Sequence, residues 1–155
     1  MKQNIIAVDF DGTCVTHEFP RVGAEIGAAE VLKELTDKGH KIILFTMRSH
    51  QLDGAEEIEE FGYGKTKPAK LPSDGDPIET CTLTDAINWF KKHDIPLFGV
   101  NENPTQKDWT SSPKPYAHIY IDDAALGVPL KHDFLSERPY VDWDIVRYYL
   151  HAKGI

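Results

Sequence analysis

Two acidic pairs stand out along the chain: Asp9 and Asp11, separated by one residue, and the adjacent Asp122 and Asp123. Each pair directly follows a short apolar run, Ile5-Ile6-Ala7-Val8 in one case and Ile119-Tyr120-Ile121 in the other. A carboxylate can attack phosphorus and form an aspartyl-phosphate. A second carboxyl group beside it can protonate the leaving oxygen and then deprotonate an attacking water. Gly12 permits the tight turn that sets the second acid over the first. An Asp-X-Asp-Gly standing alone is usually no more than an Asp-rich turn. The second pair makes the difference. If the two strands are neighbours, all these carboxylates converge, and two like charges about 4 Å apart repel by roughly 4 kcal/mol at an effective dielectric of about 20. Such a cluster needs a cation or proton uptake. Its donors are all oxygen, which points to a hard cation such as Mg²⁺ rather than to zinc.

The elements that would position these acids follow from periodicity. Asn4–Asp9, Lys41–Thr46, Pro96–Val100 and Ala117–Asp122 are apolar, β-branched runs that read as buried strands. Between and after them, 28–38, 82–93 and 142–151 carry apolar residues at helical spacing, with Val31, Leu32 and Leu35 on one face of the first helix and Gly39 as its stop. Thr82 or Thr84 is a candidate cap for the second. Strands alternating with helices predict an α/β fold with a parallel sheet covered on both faces, the first and fourth strands adjacent at its centre. In such sheets ligands bind beyond the carboxyl ends of the strands. Those ends carry Asp9, Thr46, Asn101 and the 122–123 pair.

A length of 155 residues suits a single domain, 1–155, in which 49–79 forms an irregular insert rich in Gly, Pro, Lys and Glu. A short helix over Gln51–Phe61 is a candidate within it. The formal net charge of −8 disfavours nucleic acid, which requires a broad positive field. Apolar runs such as Ile42–Phe45 are too short for a bilayer. Met-Lys-Gln-Asn leads straight into a strand without the apolar stretch or cleavage site of a signal peptide, so a cytoplasmic location is expected. Cys14 and Cys81 fit no metal or redox spacing and are read as reduced thiols.

Asp9-Phe10-Asp11-Gly12-Thr13 after an apolar strand resembles the first motif of the haloacid dehalogenase (HAD) hydrolases. Leu44-Phe45-Thr46 resembles the second, a strand ending in Ser or Thr. Lys114 before the fourth strand resembles the third, and Asp122-Asp123 the fourth. The ordered set is far more specific than any member, and it spans residues 4 to 130 with no match in the insert. The resemblance implies a three-layer, Rossmann-like HAD core with Mg²⁺ as cofactor. It implies Asp9 as nucleophile and Mg²⁺ ligand, and Asp11 as acid/base with its backbone carbonyl on the metal. Thr46 would hydrogen-bond the phosphoryl oxygens and Lys114 would neutralise their charge. Asp122 would bind Mg²⁺, and Asp123 would bind it directly or through water. An Asp at position 11 argues against dehalogenation. Short connections after Thr13 and between the third and fourth strands leave no room for a cap domain, so the chain resembles a small capless member with an open site.

The expected function is therefore Mg²⁺-dependent hydrolysis of a phosphate monoester through an aspartyl-phosphate on Asp9. The alternatives are a non-enzymatic domain binding phosphorylated ligands or a protein, and a phosphotransferase on the same fold. A small phosphorylated molecule is favoured over a macromolecule as partner. A homo-oligomer, or the insert, is a candidate roof for the site. Lys107 rivals Lys114 but lies farther from the fourth strand. Arg48 is either a bidentate clamp for substrate phosphate or a surface residue. His17 is a candidate gate in the flap, and Asn101 and Asn103 are either rim residues or turn caps. Gly64-Lys65-Thr66 lacks the earlier glycine and the strand of a phosphate-binding loop. Lys65, Lys67 and Lys70 read as a solvated loop, and Trp143, Tyr148 and Tyr149 as helix packing.

Overall fold

The computed structural model describes residues 2–49 and 82–155, with the backbone of four two-residue strands between them. In chain order the elements are β1 (Ile5–Val8), α1 (Ala28–Asp37), β2 (Lys41–Leu44), β3 (Ile58–Glu59), β4 (Lys65–Thr66), β5 (Ala69–Lys70) and β6 (Pro77–Ile78). Then follow α2 (Thr82–Lys92), β7 (Leu97–Val100), a 3₁₀ turn at Gln106–Asp108, β8 (Ile119–Ile121), β9 (Leu130–Lys131), β10 (Tyr140–Val141) and α3 (Trp143–Ala152).

The main sheet is parallel, in the order β7-β2-β1-β8, and three helices flank it. The α/β, Rossmann-like core expected from the alternating pattern is present. β1 and β8 are neighbours, as expected, but β8 is an edge strand and does not share the centre with β1. The chain leaving β8 turns into the antiparallel β9–β10 hairpin and α3, and among the described residues no strand is added beyond it.

One face of the sheet presents Ile6, Val8, Ile42, Leu44 and Ile121 to the buried faces of α1 (Val31, Leu32, Leu35), α2 (Leu83, Ala86, Ile87, Phe90) and α3 (Val146, Leu150). Each such aliphatic side chain contributes roughly 1.5–3 kcal/mol on burial. The opposite face holds a smaller cluster of Ala7, Ile43 and Ala117, with Ile5 and Phe98 against it. The connection from β7 to β8 packs there: Tyr120, paired with Ala7, donates its hydroxyl to the Pro115 carbonyl at 2.6 Å.

Helix ends follow the chemistry of their caps. Asp142 caps α3, its carboxylate accepting from the backbone N–H groups of Asp144 and Ile145. Past α1, Gly39 adopts φ +87°, and the His40 N–H reaches back to the Leu35 carbonyl at 3.0 Å. Ile58–Glu59, inside the stretch where a short helix is a candidate, pairs as a strand with Lys65–Thr66, which satisfies its backbone groups instead. The remainder of the 49–79 insert lies outside the described residues. Among the described residues, no helix is long and apolar enough to cross a membrane.

Candidate functional site

Sheet register brings the acids together. Val8 pairs with Leu44 on one side and Ile121 on the other, so the next residues, Asp9, Phe45 and Asp122, emerge level at the carboxyl ends. The Asp9 N–H donates to the Ile121 carbonyl at 2.9 Å, and the Phe45 N–H to the Val8 carbonyl at 2.8 Å. Beyond Asp9 the chain coils tightly, with the Phe10 carbonyl accepting from the Cys14 N–H at 2.8 Å. Gly12 sits at φ +77°, and a methyl group there would run into the Asp123 carboxylate. Thr13 joins the two acidic segments: its hydroxyl donates to Asp9 Oδ2 at 2.9 Å and accepts from the Asp123 N–H at 3.0 Å.

Asp9, Asp122 and Asp123 each offer a carboxylate oxygen, and the three oxygens lie within 4.8 Å of one another. Burial, followed by the charge of Asp122, pushes the Asp9 carboxyl up to about 7, against the opposing hydrogen bond from Thr13. Burial also raises Asp123 above the usual carboxylate range. Carboxylates crowded into strain of this sign are relieved by a cation, and an all-oxygen set suits a hard divalent ion such as Mg²⁺. The donor set therefore fits that ion, with Asp9, Asp122 and Asp123 as its side-chain holders.

Asp11 is turned away from this cluster. Its two carboxylate oxygens accept from Arg48 Nε and Nη2, both at 2.8 Å. Arg48 is neither a surface residue nor a free phosphate clamp, the two readings its sequence position allows. Its side chain is fully buried, and its remaining N–H groups donate to the carbonyls of Pro20 at 3.2 Å, Thr82 at 3.0 Å and Arg21 at 2.7 Å. All five guanidinium hydrogens are thereby engaged.

A cavity of about 400 Å³ opens over the acids, lined by Asp9, Asp11, His17, Phe19, Thr46, Met47, Arg48, Asp122, Asp123, Ala124 and Arg138. Thr46 is held in its wall through the Asn101 side chain, whose oxygen accepts the Thr46 N–H at 2.8 Å. Asn101 is thus a strand-end brace. Asn103 is a buried turn residue, its amide donating to the Tyr116 carbonyl and its oxygen accepting from Thr105. His17 does line the cavity, together with Asp123.

Lys114 is not in that wall. It is exposed, with its ammonium 5.2 Å from the centre of the Tyr120 ring, on the Ala7 side of the sheet. Lys107 is also exposed, 3.8 Å from Glu102. The wall instead contains Arg138, for which the sequence carries no signal: it lies in a stretch without periodicity or motif. Trp143 does more than pack α3. Its indole N–H donates to the Thr13 carbonyl at 2.6 Å, tying the last helix to the acidic turn. Cys14 is a buried free thiol; Cys81, Gly64, Lys67 and the side chains of Lys65, Thr66 and Lys70 lie outside the described residues.

No family model matches this chain, and no curated protein does. A solved structure described as the conserved protein coded by locus from Bacteroides thetaiotaomicron is similar, at 27% identity over 98% of this chain and 93% of that one, with a TM-score of 0.65. The likeness runs over nearly the whole length of both chains.

Proposed function

We propose that the chain is a HAD-type, Mg²⁺-dependent phosphohydrolase that cleaves a phosphate monoester. The observation that carries this reading is the convergence of Asp9, Asp122 and Asp123 within 4.8 Å, with Asp11, two residues past Asp9, in the wall of the same cavity. Asp9 is the nucleophile: its carboxylate attacks phosphorus, and the bond to the leaving oxygen breaks as the aspartyl-phosphate forms. Asp11 gives its proton to the leaving oxygen. It takes one back from the water that then attacks phosphorus, freeing Asp9 and inorganic phosphate. Thr46, braced by Asn101, offers its hydroxyl to a phosphoryl oxygen. Mg²⁺, which the three aspartates would hold, would supply charge neutralisation and orientation for the phosphoryl group.

The reading is tested with p-nitrophenyl phosphate and a panel of metabolite phosphates. EDTA should abolish turnover and Mg²⁺ restore it, and Asp9→Asn should fold but be inactive. Wild-type turnover in Asp9→Asn would remove the nucleophile from the scheme.

A second reading has one observation in its favour. Both oxygens of Asp11 are occupied by Arg48, so neither is presented to a leaving group in this arrangement. A domain that binds phosphorylated ligands without turnover would need no mobile proton at Asp11. Phosphate binding with no hydrolysis across the panel would favour it.

A further inference from the structure

We infer that Arg138 is the cation that neutralises the phosphoryl oxygens in this site, the task the motif resemblance assigns to Lys114. The inference rests on the phosphohydrolase reading and deepens it.

The charge inventory of the cavity requires such a group. Asp9, Asp122 and Asp123 bring three negative charges, of which Arg48 offsets at most one, and none while its partner Asp11 is ionised. A divalent cation offsets two of the three, and a phosphate monoester adds roughly −1.5 to −2 near neutral pH. The filled site would be left strongly negative without a further fixed positive group, and preorganised charge of that kind is what stabilises a transferring phosphoryl group. Among the described residues of the wall, the basic side chains are Arg48, His17 and Arg138. Arg48 has no donor left, since its five N–H groups already end on Asp11 and three carbonyls. His17 adds charge only when protonated. Arg138 brings a guanidinium, is exposed, and makes no ion pair among the described residues.

Its placement is built into the fold. Arg138 lies on the segment between β9 and β10, and its backbone N–H donates to Ser136 Oγ at 3.3 Å. Three residues on, the Val141 N–H donates to the Gly12 carbonyl at 3.0 Å, and Trp143 holds the Thr13 carbonyl. The hairpin is thus fastened to the turn that carries Asp11, and the planar guanidinium fork suits two oxygens of one phosphoryl group.

The neighbouring cavity, about 520 Å³, says which anion Arg138 meets. It shares His17 and Arg138 with the acidic site, and Glu18 and Glu137 line it. Those carboxylates repel an anionic leaving group. The negative charge left for Arg138 is therefore that of the phosphoryl group itself, with an uncharged or cationic leaving group directed past Phe134 and Leu135.

The test uses the full chain loaded with Mg²⁺, in wild-type, Arg138→Met, Arg138→Lys and Lys114→Met forms. Binding of inorganic phosphate is measured by calorimetry, and turnover is measured with p-nitrophenyl phosphate. Arg138→Met should weaken phosphate binding and raise KM by about tenfold or more, Arg138→Lys should recover part of the loss, and Lys114→Met should have the smaller effect. The thermal midpoint of Arg138→Met should match wild type, because the side chain is exposed. Phosphate affinity unchanged in Arg138→Met, or a larger loss in Lys114→Met, would overturn the assignment. Phosphate binding that depends on Arg138 in a protein with no hydrolysis would leave the assignment standing and remove the enzyme reading instead.

Discussion

Arg48 and Asp11 face each other through two parallel N–H···O bonds of 2.8 Å, one from Nε and one from Nη2. The pair joins the end of the second strand to the acidic turn. Through the Pro20, Arg21 and Thr82 carbonyls it also joins the flap and the start of α2. A residue only two positions past Thr46 is thus a buried crosspiece between four segments of chain.

Arg48→Met should therefore be strongly destabilising. Removing one partner leaves Asp11, whose side chain is 12% exposed, facing low dielectric without compensation, along with three carbonyls. Breaking a buried pair in this way costs about 3–5 kcal/mol. Urea unfolding of the variant against wild type gives the value, and a loss under ~1 kcal/mol would show that the pair is replaceable by water.

Asp11→Asn should separate substrates by leaving group. A general acid matters most when the departing oxygen is a poor leaving group, and its loss commonly lowers rates about 10²–10⁴-fold. Alkyl phosphates should suffer a drop of that order, and p-nitrophenyl phosphate, whose leaving group departs unaided, a much smaller one. Steady-state kinetics on both classes decide it; equal losses would mean that Asp11 positions and does not transfer protons.

Metal-free stability should fall as pH rises. The Asp9 carboxyl is raised in the folded state from 3.8 to about 7, so the fold favours its protonated form. The stabilisation this supplies is complete below about 4 and is lost as pH climbs through 7. Asp9→Asn lacks the charge and should be more stable than wild type at pH 8 without metal, by on the order of 1–3 kcal/mol. Added Mg²⁺ should raise the wild-type melting temperature more at pH 8 than at pH 5. Thermal melts of both proteins with and without Mg²⁺ measure this; a pH-independent Mg²⁺ effect would contradict it.

The clamp between α1 and α3 should show the opposite dependence. Lys38, then His151 and Arg147, hold the Glu34 carboxyl down at about 2, against 4.5 for the free group. A depressed value stabilises the fold above the unfolded value and is lost as pH falls through the folded one. Glu34→Gln should therefore be less stable than wild type at pH 7, by less than about 1 kcal/mol because these pairs are solvated. The gap should close between pH 4.5 and 2. Chemical denaturation across that range reads it.

Much of the fold could be read from the chain because its signals are local. The four sheet strands are short apolar runs, and each of the three helices carries an apolar stripe at helical spacing. The acids of the site could be read because they sit at strand ends, where the backbone alone determines their position. The partners of those acids could not. Arg48 looks like a surface residue until the flap and α2 close around it, and this closure is a tertiary fact with no periodic trace. Lys114 sits at the spacing of a motif, yet its segment lies against the Tyr120 face of the sheet. Arg138 has no sequence signal, since the hairpin that carries it is two residues wide on each side.

The bonds from Val141 to Gly12 and from Trp143 to Thr13 also bear on the order in which this protein becomes competent during synthesis. Every acid named by the motifs has been added to the chain by residue 123, yet the turn that orients them is completed by residues 141 and 143. A nascent chain would carry all four of these aspartates before their turn is braced, and would complete the arrangement only as α3 docks.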